Sequence, residues 1–405
     1  MNKQHTYYNT HTHIFNFECV PDGFLSNYVR SRILVNALAW TMRSPFLSSI
    51  AKRILNGLGH KYATFLTVGT KKTPLEVFEE MLNSYQGEQI KFTVLPMNFD
   101  YMGVKGALAN YITQLKLVRD VRAQYPDICL PFLAIDPRMG TAQQILDFVK
   151  DKTEPPKSQF VGIKLYPSLG FYPTDPRLES AYEWCEANKI PITTHCTREG
   201  VFYAGKTLPS QLLRYVTFNP TKIVDLRHKQ QQYTHPSTDP SIACDNFLDP
   251  VNYIDILEKY PRLKLCFAHF GGDSEMEIAF PKNTSTKVNQ PPQTDSDANS
   301  GFAENTSWTR IIEYLMKKYQ NVYTDISFTL YKKSLHPAIL SLINDTELNR
   351  KILFGTDYYM ATRFITESKM YNQFRDYLSE NSNSAWQDIS IDNPKQFLTS
   401  LHYTA

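Results

Sequence analysis

Short apolar runs rich in β-branched residues alternate with longer stretches whose apolar positions recur every three or four residues. The first such run, residues 7–15, predicts a strand. Further strands are predicted over 90–97, 128–135, 160–166, 191–195, 263–269, 322–326 and 351–355. The stretches between them predict helices over 108–124, 142–150, 178–188, 251–260, 308–319 and 337–344, and 364–378 closes the series. Short apolar strands separated by amphipathic helices imply a parallel sheet covered by helices. Eight such units is the number that closes a (β/α)8 barrel. A doubly wound open sheet is the alternative topology.

Three stretches depart from this rhythm. Residues 20–88 show helical spacing in Phe24, Leu25, Tyr28 and Val29, then in Ile33, Leu34 and Leu38, then in Ile50, Ile54 and Leu58. They predict a helical insertion after the first strand, a fixed wall over the mouth of the barrel. Residues 200–248 follow the fifth strand, and residues 280–307 follow the sixth. The latter is rich in Asn, Ser, Thr, Asp and Pro and is expected to be mobile. The whole chain, 1–405, reads as one barrel domain carrying these insertions.

Composition narrows the class. Hydrophobic residues make up 42% of the 405 and charged residues 20%, which is globular. A net charge of +3, with no long basic run, argues against nucleic acid or an anionic membrane as partner. The most apolar stretch, 33–58, is interrupted by Arg43, Lys52 and Arg53, so no membrane span is expected. Six scattered cysteines without a C-x-x-C pair read as free thiols. Together with the lack of a signal-like segment they suggest a cytoplasmic location. A small-molecule substrate is the expected partner, and self-association is left open.

Candidate chemistry lies at the strand ends, where barrel active sites are built. His11 and His13 are two apart on one strand, so both imidazoles face one side. Lys164 lies on the fourth predicted strand, His195 ends the fifth, His269 the sixth and Asp357 the eighth. Each has an ordinary reading: His195 as a core histidine, Asp357 as a helix N-cap, Lys164 as a snorkelling side chain. Converging at one barrel end, His11, His13, His195 and Asp357 make a ligand set for a divalent metal, zinc first and manganese second. His269 can hold a second metal or move protons. Arg138, Arg198 and Tyr166 also lie near strand ends, the arginines suited to a substrate carboxylate or to internal ion pairs. His5, His60, His228, His235, His336 and His402 read as solvated.

The motifs His11-x-His13, Gly162-Ile163-Lys164-Leu165-Tyr166-Pro167, Thr194-His195, Ala268-His269-Phe270-Gly271-Gly272 and Phe354-Gly355-Thr356-Asp357 resemble those of the amidohydrolase superfamily. Its amidohydrolase-related branch, which includes aminocarboxymuconate-semialdehyde decarboxylase, is the nearer likeness. Asp136-Pro137-Arg138, Asn321-Val322-Tyr323-Thr324-Asp325 and Asp392-Asn393-Pro394 agree with it. The resemblance implies a distorted (β/α)8 barrel with one or two divalent metals. It places the metal ligands on His11, His13, His195 and Asp357, and the catalytic roles on His269 and Asp357. Lys164 would be carboxylated and bridge two metals, bind a substrate carboxylate, or be simply structural; one metal per chain is the preferred reading. Asn9 departs from the pattern, which commonly has Asp there. The implied activity is hydrolysis of an amide, lactone or related bond in a small carboxylated substrate. The alternative is non-oxidative decarboxylation of an unsaturated or aromatic acid, and the remote one a non-catalytic metal-binding barrel.

Overall fold

The computed structural model describes residues 5–21, 24, 65, 67–155, 159–198, 200–205, 240–281 and 306–405. Among these, eight strands pair in parallel in chain order: β1 Thr6–Thr12, β2 Gln89–Val94, β3 Cys129–Ala134, β4 Gly162–Leu165, β5 Ile192–Thr194, β6 Leu265–Phe267, β7 Val322–Asp325 and β8 Ile352–Leu353. The last strand returns to the first. Thr10 N donates to Phe354 O at 2.9 Å and Asp357 N to His11 O at 2.9 Å, so the sheet curls into a nearly closed barrel. Gly355 lies in this seam. A Cβ there would sit 2.8 Å from His11 Cβ, so only glycine lets the strands approach.

Each strand is followed by a helix that covers it: α1 Pro74–Asn83, α2 Tyr111–Gln124, α3 Ala142–Thr153, α4 Glu179–Asn188, α5 Ile254–Lys259, α6 Trp308–Lys318, α7 His336–Ile343 and α8 Glu367–Asn381. Polar residues set where several begin. Thr73 accepts from Glu76 N ahead of α1, with Pro74 at the first helical position. Thr141 and Gln144 form a reciprocal capping box at α3. Ser307 accepts from Arg310 N at α6. On α6 the buried Trp308, Ile311, Ile312, Leu315 and Met316 form one stripe against the barrel, which fixes its rotation.

The opposite end of the barrel is closed by the carboxyl-terminal segment. Phe397 and Leu398 pack with Tyr8, Leu130, Phe132, Tyr323 and Leu353 in an apolar cluster. Lys264, just before β6, donates to the carbonyls of Gln396 and Thr399, each at 2.6 Å. These bonds anchor the chain end and leave the other mouth for chemistry.

The paired strands are shorter than the apolar runs that predict them. At the carboxyl ends of those runs the chain leaves the ladder and turns. His195 and His269 therefore lie just beyond β5 and β6. His336 is a correction: it is buried, with Nε2 3.0 Å from Leu330 O, because it opens α7 facing Phe374 rather than water. The helices predicted for the first insertion fall mostly outside the described residues. Among its described residues, which also include α1, Phe24 and Phe65 are fully buried against Phe15, Phe99 and Tyr359. The expected mobile loop also lies outside them, apart from its ends. No helix among the described residues is long and apolar enough to cross a membrane. All six cysteines are buried free thiols.

Candidate metal centre

The carboxyl ends of β1, β6, β7 and β8 converge on a cluster of buried imidazoles and carboxylates. His11 and His13 come from β1 and the residue just after it, their ring centroids 5.3 Å apart. Asp325 ends β7, and Asp357 and His269 sit in the turns after β8 and β6. Four non-glycine residues at these turns, His269, Phe270, Phe328 and Asp357, hold positive φ of 65°, 52°, 64° and 59°. Such left-handed backbone is unfavourable for ordinary residues and concentrates at functional sites. The barrel holds it here because flanking strands and hydrogen bonds fix both sides of each turn.

Second contacts determine which ring nitrogen each histidine presents. His11 Nδ1 lies 2.8 Å from Asp325 Oδ2, and His13 Nδ1 lies 2.8 Å from the Leu95 carbonyl. Both acceptors require the proton on Nδ1, which leaves Nε2 as a lone pair on each ring. Burial holds His11 neutral, its pKa lowered to about 3. The two Nε2 atoms face the same carboxylate oxygen: Asp357 Oδ1 is 3.5 Å from His11 Nε2 and 3.1 Å from His13 Nε2. Three electron-rich atoms thus converge in a buried space, and His11 Nε2 has no hydrogen-bond partner. These are the spacings of neighbouring ligands that share one cation at about 2.0–2.2 Å. The donor set fits a divalent metal.

Asp325 is otherwise occupied. It accepts from His269 N at 3.0 Å, from Ser327 N at 3.1 Å and from the Ser327 hydroxyl, besides His11. Burial would raise its pKa, but these donors and the His11 and His269 rings keep it lowered. Its geometric grouping with His11 and His269 is therefore already satisfied by protons.

His269 and His195 form a second layer. His269 Nε2 lies 3.2 Å from His195 Nδ1, and its Nδ1 lies 2.9 Å from Ser327 Oγ. His195 stacks on Tyr166 at 4.1 Å. Gly200 keeps this stack open: a Cβ there would lie 2.7 Å from Tyr166 Oη and 3.0 Å from His195 Nε2. Lys164 is fully buried beneath the cluster, and its Nζ has no hydrogen-bond partner. Burial lowers its pKa to about 8 against the opposing pull of Asp325 and Asp357.

The sequence-predicted residues thus divide. His11, His13 and Asp357 come together, with His269, His195 and Lys164 adjoining. Arg138 does not face the cavity; it is bound to Asp136, with Nε–Oδ1 at 2.7 Å, and to the Tyr101 and Leu169 carbonyls. Arg198 pairs with Glu275 at 2.8 Å and Asp245 at 2.7 Å. Tyr166 does line the cavity.

That cavity opens over the cluster and encloses about 430 Å³, solvent at its mouth included. His13, His195, His269 and Asp357 form its polar floor, and Phe15, Phe24, Phe99, Phe328, Met97 and Met360 most of its wall. Arg363 also lines it. Sequence reasoning missed Asp325 and Arg363 as site residues. Asp325 carried the same signal as Asp357, a carboxylate ending a strand. Arg363 follows β8 on the same face and carried no signal beyond that position.

Residues 116–398, more than half the chain, match the family model described as Amidohydrolase, and the protein belongs to that family. It is an amidohydrolase-family enzyme, a class that spans hydrolases and lyases. No curated protein sequence matches it. Among solved structures it is similar to 5-carboxyvanillate decarboxylase from Novosphingobium aromaticivorans, determined with bound manganese and 3-methoxy-4-hydroxy-5-nitrobenzoic acid. That likeness has a TM-score of 0.53 at 12% identity over 98% of each chain. An uncharacterized TIM-barrel protein from Bordetella bronchiseptica gives a TM-score of 0.50 at 16% identity, covering 97% of this chain and 98% of the other. At these identities the likeness is one of fold.

Proposed function

We propose that the protein is a metal-dependent, non-oxidative decarboxylase of an aromatic or unsaturated carboxylic acid. The observation that carries this is the aromatic wall over the histidine–aspartate floor. Loss of CO2 turns a localised carboxylate charge into a neutral product and a charge spread over the rest of the substrate. An apolar, water-poor cavity favours that change, and Phe15, Phe24, Phe99 and Phe328 are surfaces for a flat ring. Hydrolysis, the other activity the motifs allow, needs a water delivered to an electrophile and draws no advantage from such walls. The fold shared with 5-carboxyvanillate decarboxylase supports the same reading.

His11, His13 and Asp357 would hold the ion, with His195 as a fourth ligand from the neighbouring layer. The imidazoles suit zinc; the carboxylate admits manganese, the ion in the structurally similar decarboxylase. A divalent metal at this position supplies a positive centre that binds and polarises a substrate oxygen. The chain's own residues do the rest. The aromatic walls orient the ring and exclude water. As the C–C bond to the carboxylate breaks, its electron pair stays on the substrate carbon, which must then take a proton. His269 faces the cavity, with Nε2 beside His195 Nδ1 and Nδ1 beside Ser327, and is placed to hold and deliver that proton. Asp357 is the second candidate for the same transfer.

The test is a turnover screen of zinc- and manganese-loaded protein on aromatic and unsaturated acids, lactones and N-acyl amino acids. CO2 release is expected, with one solvent deuterium on the former carboxylate carbon in D2O. Cleavage of lactones or amides without CO2 release from any acid would return the hydrolase reading.

A further inference from the structure

Behind the metal centre a buried hydrogen-bond network ends on one oxygen. Asn9 lies on β1, Thr356 just after β8, Tyr85 just after α1, and Glu367 opens α8; all four are buried. Asn9 Oδ1 accepts the backbone N–H of His11 at 3.3 Å and that of Thr356 at 3.2 Å. Those two donors fix which way round the amide sits. Its Nδ2 therefore faces the other side, where Thr356 Oγ1 lies at 2.7 Å, Tyr85 Oη at 3.1 Å and Glu367 Oε1 at 3.4 Å. A hydroxyl that accepts from an amide has its own proton free to donate. Thr356 gives it to Glu367 Oε1 at 2.6 Å, and Tyr85 gives it to the same atom. The donors of the network thus end on Glu367 Oε1, while Oε2 has no hydrogen-bond partner.

We propose that Glu367 is a positioning residue for the metal centre: acting through Thr356 and Asn9, it sets the distance between Asp357 and His11. The inference rests on the metal dependence of the proposed function, not on which bond is cleaved. Asp357 directly follows Thr356, and its φ of 59° is a conformation that persists only where the surroundings over-determine it. The Asp357 N–H is held by His11 O at 2.9 Å. Thr356 is held twice, its N–H by Asn9 and its hydroxyl by Glu367. Without the Glu367 oxygen, two hydroxyls and an amide lose their common acceptor inside the core and must turn to others. Thr356 is then released, and the Asp357 turn with it. The Asp357 carboxylate, 3.5 Å from His11 Nε2 and 3.1 Å from His13 Nε2, would leave the spacing at which three ligands share one cation. Glu367 lies outside the cavity lining, so its effect falls on the ion and not on contact with substrate.

Competition with a chromogenic chelator for manganese tests this. The proteins are wild type, Glu367→Gln, which keeps an oxygen for the donors, Glu367→Met, which removes it, Thr356→Val, and the double variant of the last two. Lys264→Met, at the opposite end of the barrel, is the control for a general loss of stability. Circular dichroism at the assay temperature verifies that each is folded. Should Glu367→Met not fold, Glu367→Asp, which withdraws the oxygen by one methylene, takes its place. Glu367→Met and Thr356→Val should each weaken manganese binding about tenfold, and Glu367→Gln should stay within about twofold of wild type. The double variant should lose no more than the weaker-binding single, because both changes cut the same link. Wild-type affinity in the folded Glu367→Met or Glu367→Asp protein, losses that add in the double variant, or an equal loss in Lys264→Met overturns the assignment. The expected losses in a protein that releases CO2 from no acid would sink the decarboxylase reading and leave the positioning role standing. CO2 release with unchanged affinity in the Glu367 variants would do the reverse.

Discussion

His11 Nδ1 lies 2.8 Å from Asp325 Oδ2, which ties the first strand of the barrel to the seventh past the eighth between them. The contact fixes the proton on Nδ1 and turns Nε2 toward Asp357. The same carboxylate takes the backbone N–H of His269 at 3.0 Å. One buried aspartate therefore sets the ring tautomer of one histidine and the backbone position of another.

Asp325→Asn should weaken metal binding about 10- to 100-fold, the usual effect of losing a partner behind a ligand histidine. The amide is nearly the same size, so the fold should persist. Competition with a chromogenic chelator measures the affinity, and circular dichroism checks the fold. Wild-type affinity in this variant would mean that His11 is oriented by something other than Asp325.

Metal retention should rank the histidines. His11 and His13 face Asp357 directly, whereas His195 reaches the centre beside His269. His11→Ala should therefore abolish stable metal binding, and His195→Ala should reduce it while leaving a measurable fraction bound. Metal analysis after gel filtration gives both numbers. Equal loss in the two variants would place His195 in the innermost set.

Much of this was legible because periodicity and ligand chemistry act locally. The eight apolar runs appear as β1–β8, and His11, His13 and Asp357 could be placed at one mouth from strand ends alone. The pairing of Arg138 with Asp136 and of Arg198 with Glu275 was not legible. An arginine near a strand end looks the same whether it meets a substrate or a neighbouring acid, and only the turn geometry decides. Glu367 went unread for a related reason. It opens α8, where an acidic residue is ordinary on a solvated first turn, yet here it is buried against Asn9, Thr356 and Tyr85.

A single ion per chain is expected. The second cluster, His11, His269 and Asp325, already has its carboxylate engaged by hydrogen-bond donors. Lys164→Met should therefore retain about one equivalent of metal, since it removes a buried ammonium and keeps the volume. A wild type with two equivalents, falling to one in Lys164→Met, would establish a lysine-bridged pair instead.

Glu367 should make stability depend on pH. Its carboxyl accepts from Thr356 Oγ1 at 2.6 Å, from Asn9 Nδ2 at 3.4 Å and from the Tyr85 hydroxyl. Burial raises its pKa from 4.5 to about 7; the Thr356 and Tyr85 bonds oppose this, and Asp357 adds to it. Below pH 4.5 the group is protonated whether the chain is folded or not, and its contribution is fully present. Between 4.5 and about 7 the unfolded chain ionises while the folded one does not, so stability falls as pH rises. The loss should total roughly 2–4 kcal/mol and be complete above the folded pKa. Glu367→Gln removes the titration and keeps an oxygen for Asn9 and Thr356. Urea unfolding of both proteins from pH 4 to 8 isolates the effect, because other titrating groups and the metal contribute alike to each. The wild type should lose stability relative to Glu367→Gln across that window and hold a constant difference outside it. A difference that stays flat throughout would mean that Glu367 is ionised in the folded protein despite its burial.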